Sequence, residues 1–112
     1  MCGIAGFSSF HKNFLEDGGR WYPILQKMNQ IQKHRGPDDD GVALFRHCGL
    51  SHVRLSILDP QGGHQPMSKQ WGDHRCTICF NGEIYNMPGL KRELLSEGME
   101  FTTDTDTEVI LA

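Results

Sequence analysis

The first seven residues, Met1-Cys2-Gly3-Ile4-Ala5-Gly6-Phe7, place a cysteine directly after the initiator methionine. A small second residue favours removal of Met1, which would make Cys2 the N-terminal residue. Cys2 would then carry a thiol nucleophile and a free α-amine, whose ordinary pKa of about 7.7–8.0 suits a general base. One residue could thus supply both nucleophile and base. The open alternative is an ordinary strand in which the cysteine only packs.

A second chemical feature is the pair Asn81-Gly82, which follows a predicted strand. An Asn-Gly pair at a strand end is by default a turn. It also presents a side-chain amide donor beside an unobstructed backbone N–H, and two adjacent donors are what an oxyanion hole requires.

Two further charged residues, Arg54 and Asp106, lie in predicted elements. Arg54 alternates with the apolar Val53 and Leu55 on a predicted strand, so its guanidinium points away from the apolar layer and could bind a carboxylate bidentately. A surface arginine is the open alternative. Asp106 lies in Thr105-Asp106-Thr107-Glu108, which has the form of a capping box, and compensation of the helix dipole explains a carboxylate at this position.

These residues must be positioned by elements that periodicity and breakers predict. In the first half of the chain we expect a first strand, a loop from His11 to Arg20, a helix from Pro23 that stops at His34-Arg35-Gly36-Pro37, and hairpin strands from Val42 to Phe45 and from Gly49 to Leu58. In the second half we expect an irregular loop from Asp59 to Gln70, a strand from Cys76 to Phe80, a helix that Pro88 opens and Gly98 closes, and a last helix after Thr105.

Other chemistry-bearing residues favour plainer interpretations. The run Asp38-Asp39-Asp40 lacks the alternating ligands and distal glutamate of a calcium loop, so no metal is expected. Cys76 and Cys79 lie three apart on a predicted strand and should face opposite sides, which disfavours zinc or redox chemistry. A structural or loop role is expected for His64, because no acidic partner stands at a recognisable spacing.

Length and charge narrow the class further. At 112 residues the chain is one domain or part of one, and the apolar run at its end, which lacks a polar exit, predicts truncation. A formal net charge of −3 without a Lys/Arg stripe argues against nucleic acid as a partner. The sequence shows neither a secretion signal nor an apolar run long enough for a membrane span, so four free thiols and a cytoplasmic location are expected.

Six motifs in this order resemble the glutaminase domain of glutamine-hydrolysing asparagine synthetases, which are class II glutamine amidotransferases of the N-terminal-nucleophile hydrolase type. They are the segment from Met1 to Phe7, His34-Arg35-Gly36-Pro37-Asp38, Arg54-Leu55-Ser56-Ile57, Gly63-His64-Gln65-Pro66-Met67, Phe80-Asn81-Gly82-Glu83-Ile84-Tyr85-Asn86 and Thr105-Asp106-Thr107-Glu108.

The resemblance implies an α+β fold, an α/β/β/α sandwich of two antiparallel sheets between helix layers, of which this chain would supply the first part. It also implies roles for individual residues. Cys2 matches the nucleophile, Asn81 and Gly82 the oxyanion-hole pair, Arg54 the residue that binds the glutamine α-carboxylate, Glu83 and Asp106 the positions that bind its α-amino group, and Leu55, Ser56, Ile57 and Leu58 the lining of the pocket. Asp104 is an extra carboxylate beside Asp106, and the register of the motif favours Asp106.

The resemblance therefore implies hydrolysis of L-glutamine to glutamate and ammonia. No cofactor is expected in this segment, whereas ATP and magnesium are expected in a C-terminal synthetase domain of the same chain, which would use the ammonia to make asparagine from aspartate. A homodimer stays open. Two alternatives also stay open: a paralogue that amidates another carboxylate metabolite or polysaccharide precursor, and a non-catalytic binding module on the same fold.

Overall fold

The computed structural model describes residues 2–55 and 62–112. In chain order its elements are β1 (Gly3–Ser8), α1 (Gly18–Ile31), β2 (Asp39–Leu44), β3 (Cys48–Arg54), β4 (Met67–Trp71), β5 (His74–Ile78), α2 (Met87–Ser96) and α3 (Asp106–Leu111), with 3-10 helices at Phe14–Asp17 and Lys33–Arg35. The strands form two antiparallel sheets, ordered β1-β3-β2 and β4-β5, which confirms the predicted α+β class. Within these residues no helix combines the length and apolar character that a membrane span requires.

The central strand β3 is covered on both faces. Helix α1 packs against one face, where Val53 and Leu25 are fully buried. On the opposite face His52 and Arg54 are buried as well, and the Nε2 atom of His52 lies 3.3 Å from the carbonyl oxygen of Phe80. The polar face of this strand therefore points into the protein and not toward solvent.

Helix α1 begins at Gly18, earlier than the predicted start at Pro23 and inside the stretch predicted as a loop. The reason is tertiary packing. Trp21, on the first turns of α1, contacts Phe7 and Phe14 at ring-centroid distances of 5.3 and 4.9 Å. The rings of Phe7 and Phe14 are themselves 4.7 Å apart. This aromatic cluster stabilises a helical start that local sequence signals do not predict.

Strand β4 occupies the end of the segment predicted as an irregular loop, so that prediction is wrong from Met67 onward. Met67, Lys69 and Trp71 are half-buried and alternate with the exposed Ser68 and Gln70. A burial period of two is typical of a strand, and pairing with β5 provides its hydrogen bonds.

Other strand boundaries also differ from the sequence prediction. β2 begins at Asp39 and not at Val42, because Asp39 already pairs with Arg54 of β3. β5 runs from His74 to Ile78, so it begins and ends two residues before the predicted strand. The predicted continuation of β3 through residues 56–58 lies outside the described residues.

Helix α3 begins with one half of the predicted capping box. The Thr105 side chain accepts a hydrogen bond from the Glu108 backbone N–H at 3.4 Å. The Glu108 carboxylate does not return the bond to the Thr105 N–H; it accepts from the backbone N–H groups of Thr102 and Thr103, each at 2.9 Å. Glu108 thereby fastens the preceding loop to the helix.

Candidate active site

A cavity of about 370 Å³ opens where the ends of several elements meet. It is lined by residues just before β1, at the end of β3, in the segments before β4 and after β5, and at the start of α3. The predicted site residues among its lining are Cys2, Arg54, Leu55, Asn81, Gly82, Glu83 and Asp106. The other three predicted residues, Ser56, Ile57 and Leu58, lie outside the described residues.

Cys2 reaches the cavity because β1 and β3 are antiparallel. Gly3 pairs with Val53, so the residue before β1 lies beside the residues at the end of β3. The Sγ atom of half-buried Cys2 accepts a hydrogen bond from the Leu55 N–H at 3.4 Å, and the Cys2 carbonyl oxygen accepts one from Arg35 Nε at 3.3 Å. The thiol is thus fixed at the cavity wall and remains partly accessible.

Arg54 is only 5% exposed, so the alternative of a surface arginine is wrong. Its guanidinium lies directly against Gly63, where an added Cβ would collide with it. A Cβ at Gly36 would likewise collide with the Arg54 backbone, and the Arg54 carbonyl oxygen accepts a hydrogen bond from the Asp38 N–H at 3.0 Å. Glycines of two of the quoted motifs therefore allow close approach to Arg54, Gly63 to its guanidinium and Gly36 to its backbone.

Asn81 and Gly82 follow β5, and Asn81 is half-buried at the cavity. The residue before them, Phe80, is held by side chains: its N–H donates to Gln65 Oε1 at 2.6 Å, and its carbonyl oxygen accepts from His52 Nε2 at 3.3 Å. The two donors predicted for an oxyanion hole thus directly follow Phe80, whose backbone N–H and carbonyl oxygen are both held by hydrogen bonds.

Asp106 is the first residue of α3 and is 8% exposed. Its Oδ2 atom accepts a hydrogen bond from the Ile84 N–H at 3.0 Å, which ties the segment after Asn81-Gly82 to the helix. Glu83 also lines the cavity but is exposed. Asp104 is not among the lining residues; its highly exposed carboxylate lies 3.3 Å from the Lys91 ammonium.

Sequence reasoning missed six further lining residues outside the predicted set, namely Gly63, Gln65, Phe80, Tyr85, Thr105 and Thr107. All six belong to the motifs quoted above, but no local pattern gave them a role in binding or catalysis. The expectation that no acidic residue orients His64 is wrong, because its Nδ1 atom lies 2.7 Å from Asp39 Oδ2. Sequence spacing could not show this pair, since the two residues are 25 positions apart.

Burial sets the protonation of two groups near the cavity. It lowers the pKa of His52, against the opposing effect of the hydrogen bond to Phe80, so the ring is neutral and its Nε2 carries the proton that it donates. Burial raises the pKa of the Cys79 thiol to about 11, which makes it a poor nucleophile. Across residues 2–55 and 62–112 no three His, Cys, Asp or Glu side chains cluster as metal ligands would.

The cavity therefore brings a thiol, a buried guanidinium, a buried carboxylate and an Asn-Gly pair into one site, and such a set can bind a zwitterion and attack an amide. Comparison with known proteins agrees with a site that binds a zwitterion and attacks an amide. The family model described as a glutamine amidotransferase domain matches residues 1–112. This chain belongs to that family.

Curated relatives extend the comparison. The chain is 45% identical over 112 residues to glutamine-hydrolyzing asparagine synthetase 1 of Bacillus subtilis, covering all of this chain and 17% of that protein. It is 37% identical over 111 residues to glutamine-hydrolyzing asparagine synthetase 3 of the same organism, covering 99% of this chain and 17% of that protein. Against asparagine synthetase B of Escherichia coli it is 40% identical over 86 residues, which cover 77% of this chain and 15% of the relative.

Proposed function

We propose that this chain carries the glutamine-hydrolysing site of an amidotransferase, with L-glutamine as its substrate. The observation that supports this most is the meeting of Cys2, Arg54, Asp106 and Asn81-Gly82 around one cavity. Arg54 would bind the α-carboxylate, and Asp106 with Glu83 the α-ammonium. Leu55, which lines the cavity, would contribute to the substrate pocket.

In the proposed reaction, Cys2 Sγ forms a bond to the side-chain amide carbon of glutamine. The Cys2 α-amine, free once Met1 is removed, takes the thiol proton and passes it to the leaving nitrogen. Asn81 Nδ2 and the Gly82 N–H donate to the developing oxyanion. The C–N bond breaks and ammonia leaves, after which water hydrolyses the γ-glutamyl thioester to glutamate and regenerates the thiol.

The chain spans about a sixth of the length of the first relatives it matches. We propose that residues 1–112 are the N-terminal part of a glutaminase domain, followed in the whole protein by a synthetase domain. That domain would use ATP, Mg²⁺ and the released ammonia to convert aspartate to asparagine in the cytoplasm. A homodimer is the oligomeric state to be tested first.

A diazoketone analogue of glutamine tests the proposal directly, because it alkylates a thiol that attacks the substrate position. We expect peptide mapping of the full-length protein to find the label on Cys2 and to find Cys48, Cys76 and Cys79 unmodified. Exposed Cys76 is the internal control for simple accessibility. A label found mainly on Cys76 or Cys79 would contradict the proposal, as would labelling that excess glutamine does not suppress.

A further inference from the structure

Gln65 is a buried polar side chain whose two ends contact different parts of the site. It is 6% exposed and lines the cavity. Its Oε1 atom accepts the Phe80 N–H at 2.6 Å, and its Nε2 atom donates to Thr107 Oγ1 at 3.1 Å. Both polar atoms of the amide are therefore satisfied inside the protein, an arrangement that fixes the side chain in one orientation.

The two partners of Gln65 adjoin opposite ends of the proposed substrate. Phe80 directly precedes Asn81-Gly82, the proposed oxyanion donors, whereas Thr107 directly follows Asp106, the proposed partner of the α-ammonium. β5 ends at Ile78, so Phe80 lies beyond the strand ladder. Gln65 on the N–H and His52 on the carbonyl oxygen take the place of strand pairing at this point.

We infer that Gln65 is a positioning residue for glutamine hydrolysis, which holds the oxyanion donors at a fixed distance from the amine subsite on α3. This inference rests on the proposed function. Gln65 acts through Phe80 on Asn81-Gly82 and does not itself touch the reacting amide. Oxyanion donors are effective only when they are already aimed at the place where charge develops, so loosening Phe80 should slow the chemical step.

Two substitutions separate the contacts of Gln65. Gln65→Met keeps the approximate length of the side chain but removes both hydrogen bonds, whereas Thr107→Val is nearly isosteric and removes only the bond to α3. Gln70→Met is the matched control, because Gln70 is exposed on β4 and its Nε2 also donates one hydrogen bond, to the Gly72 carbonyl oxygen at 3.1 Å.

Steady-state glutamine hydrolysis by the full-length protein gives kcat and KM for each variant. We expect Gln65→Met to lower kcat about tenfold or more, a part of the 10²- to 10³-fold loss typical when an oxyanion donor is removed. Thr107→Val should act chiefly on KM and lower kcat at least about threefold less than Gln65→Met does, since the Phe80 bond remains. Gln70→Met should match the wild type.

The outcomes separate the inference from the proposed function. Wild-type protein that does not hydrolyse glutamine would overturn the proposed function and the inference together. An active wild type with a folded Gln65→Met variant of unchanged kcat would overturn the role of Gln65 alone, as would equal loss of kcat in the Gln65 and Thr107 variants. Should Gln65→Met fail to fold, Gln65→Asn gives the same comparison, because its amide is one methylene too short to span both partners.

Discussion

Arg54 carries a positive charge although it is buried, and charged groups are normally excluded from buried positions. Removing an unpaired ion from water costs roughly several kcal/mol, so a buried guanidinium needs partners and space. Gly63 leaves the space that the guanidinium fills, and Gly36 lets the chain pass close to the Arg54 backbone. Neither glycine needs an unusual backbone conformation; each is required because any Cβ would occupy the volume that Arg54 fills.

Replacing Arg54 tests the proposed carboxylate subsite. Arg54→Lys should raise the KM for glutamine about ten- to hundred-fold, corresponding to about 1.5–3 kcal/mol for a charged hydrogen bond, because an ammonium cannot reproduce two parallel donors. The kcat should fall much less, since this contact lies at the end of the substrate away from the reacting amide. Steady-state glutaminase kinetics of the full-length protein measures both values.

Arg75→Lys is the matched control for this change, because Arg75 also lies on a strand but is exposed and outside the cavity. It should leave both kinetic parameters unchanged. Thermal unfolding shows whether each variant is folded. An unchanged KM in a stable Arg54→Lys variant would remove the α-carboxylate role and leave Arg54 as a structural residue.

At the scale of elements, the site depends on where helix α3 begins. Asp106 is its first residue, and the short helix is held to the preceding loop by Glu108. The Glu108 carboxylate accepts from the backbone N–H and hydroxyl groups of Thr102 and Thr103. Burial opposes its ionisation, but these hydrogen bonds outweigh that effect and lower the pKa of Glu108.

Glu108→Gln should therefore destabilise the protein by about 1.5–3 kcal/mol near neutral pH, the range for hydrogen bonds to a charged group. Urea unfolding of the full-length protein, followed at the transition of this domain, measures the difference. Glu93→Gln on the exposed face of α2 is the control and should change stability little. Equal stability of the Glu108 and Glu93 variants would show that the Glu108 contacts do not support the fold.

The difference between wild type and Glu108→Gln should also depend on pH. A lowered folded-state pKa means that the unfolded chain binds the proton first as pH falls. The stabilisation is thus complete above the ordinary value of 4.5 and is lost as pH falls through the folded-state pKa. The two unfolding curves should converge in that range.

At the scale of the whole molecule, the sequence predicts features that local patterns encode. Individual strands and helices follow from alternation and helical periodicity, and the start of α3 from Thr105-Asp106-Thr107-Glu108, because caps and periods are properties of neighbouring residues. The α+β class was implied by the resemblance. The resemblance supplied the set of predicted site residues, and seven of them, Cys2 included, line one cavity.

Local sequence patterns do not predict features that depend on residues distant in the sequence. The early start of α1 requires Trp21 to meet Phe7, the His64–Asp39 pair joins a loop to β2, and Gln65 reaches Phe80. Each is a side-chain contact between segments that only the folded chain brings together. The same holds for burial of Arg54, since alternation fixes the face of a strand but not what covers that face.

Under the proposed function, the whole protein has separate sites for glutamine hydrolysis and for synthesis. Cys2→Ala should abolish glutamine-dependent synthesis and leave ammonia-dependent synthesis intact, because ammonia added to the solution bypasses the thioester. Cys76→Ala, an exposed cysteine on β5, is the control and should retain both activities. The measurement is product formation with ATP and either nitrogen source. Loss of both activities in a folded Cys2→Ala protein would contradict separate sites for glutamine hydrolysis and synthesis, whereas retention of glutamine-dependent synthesis would exclude Cys2 as the nucleophile.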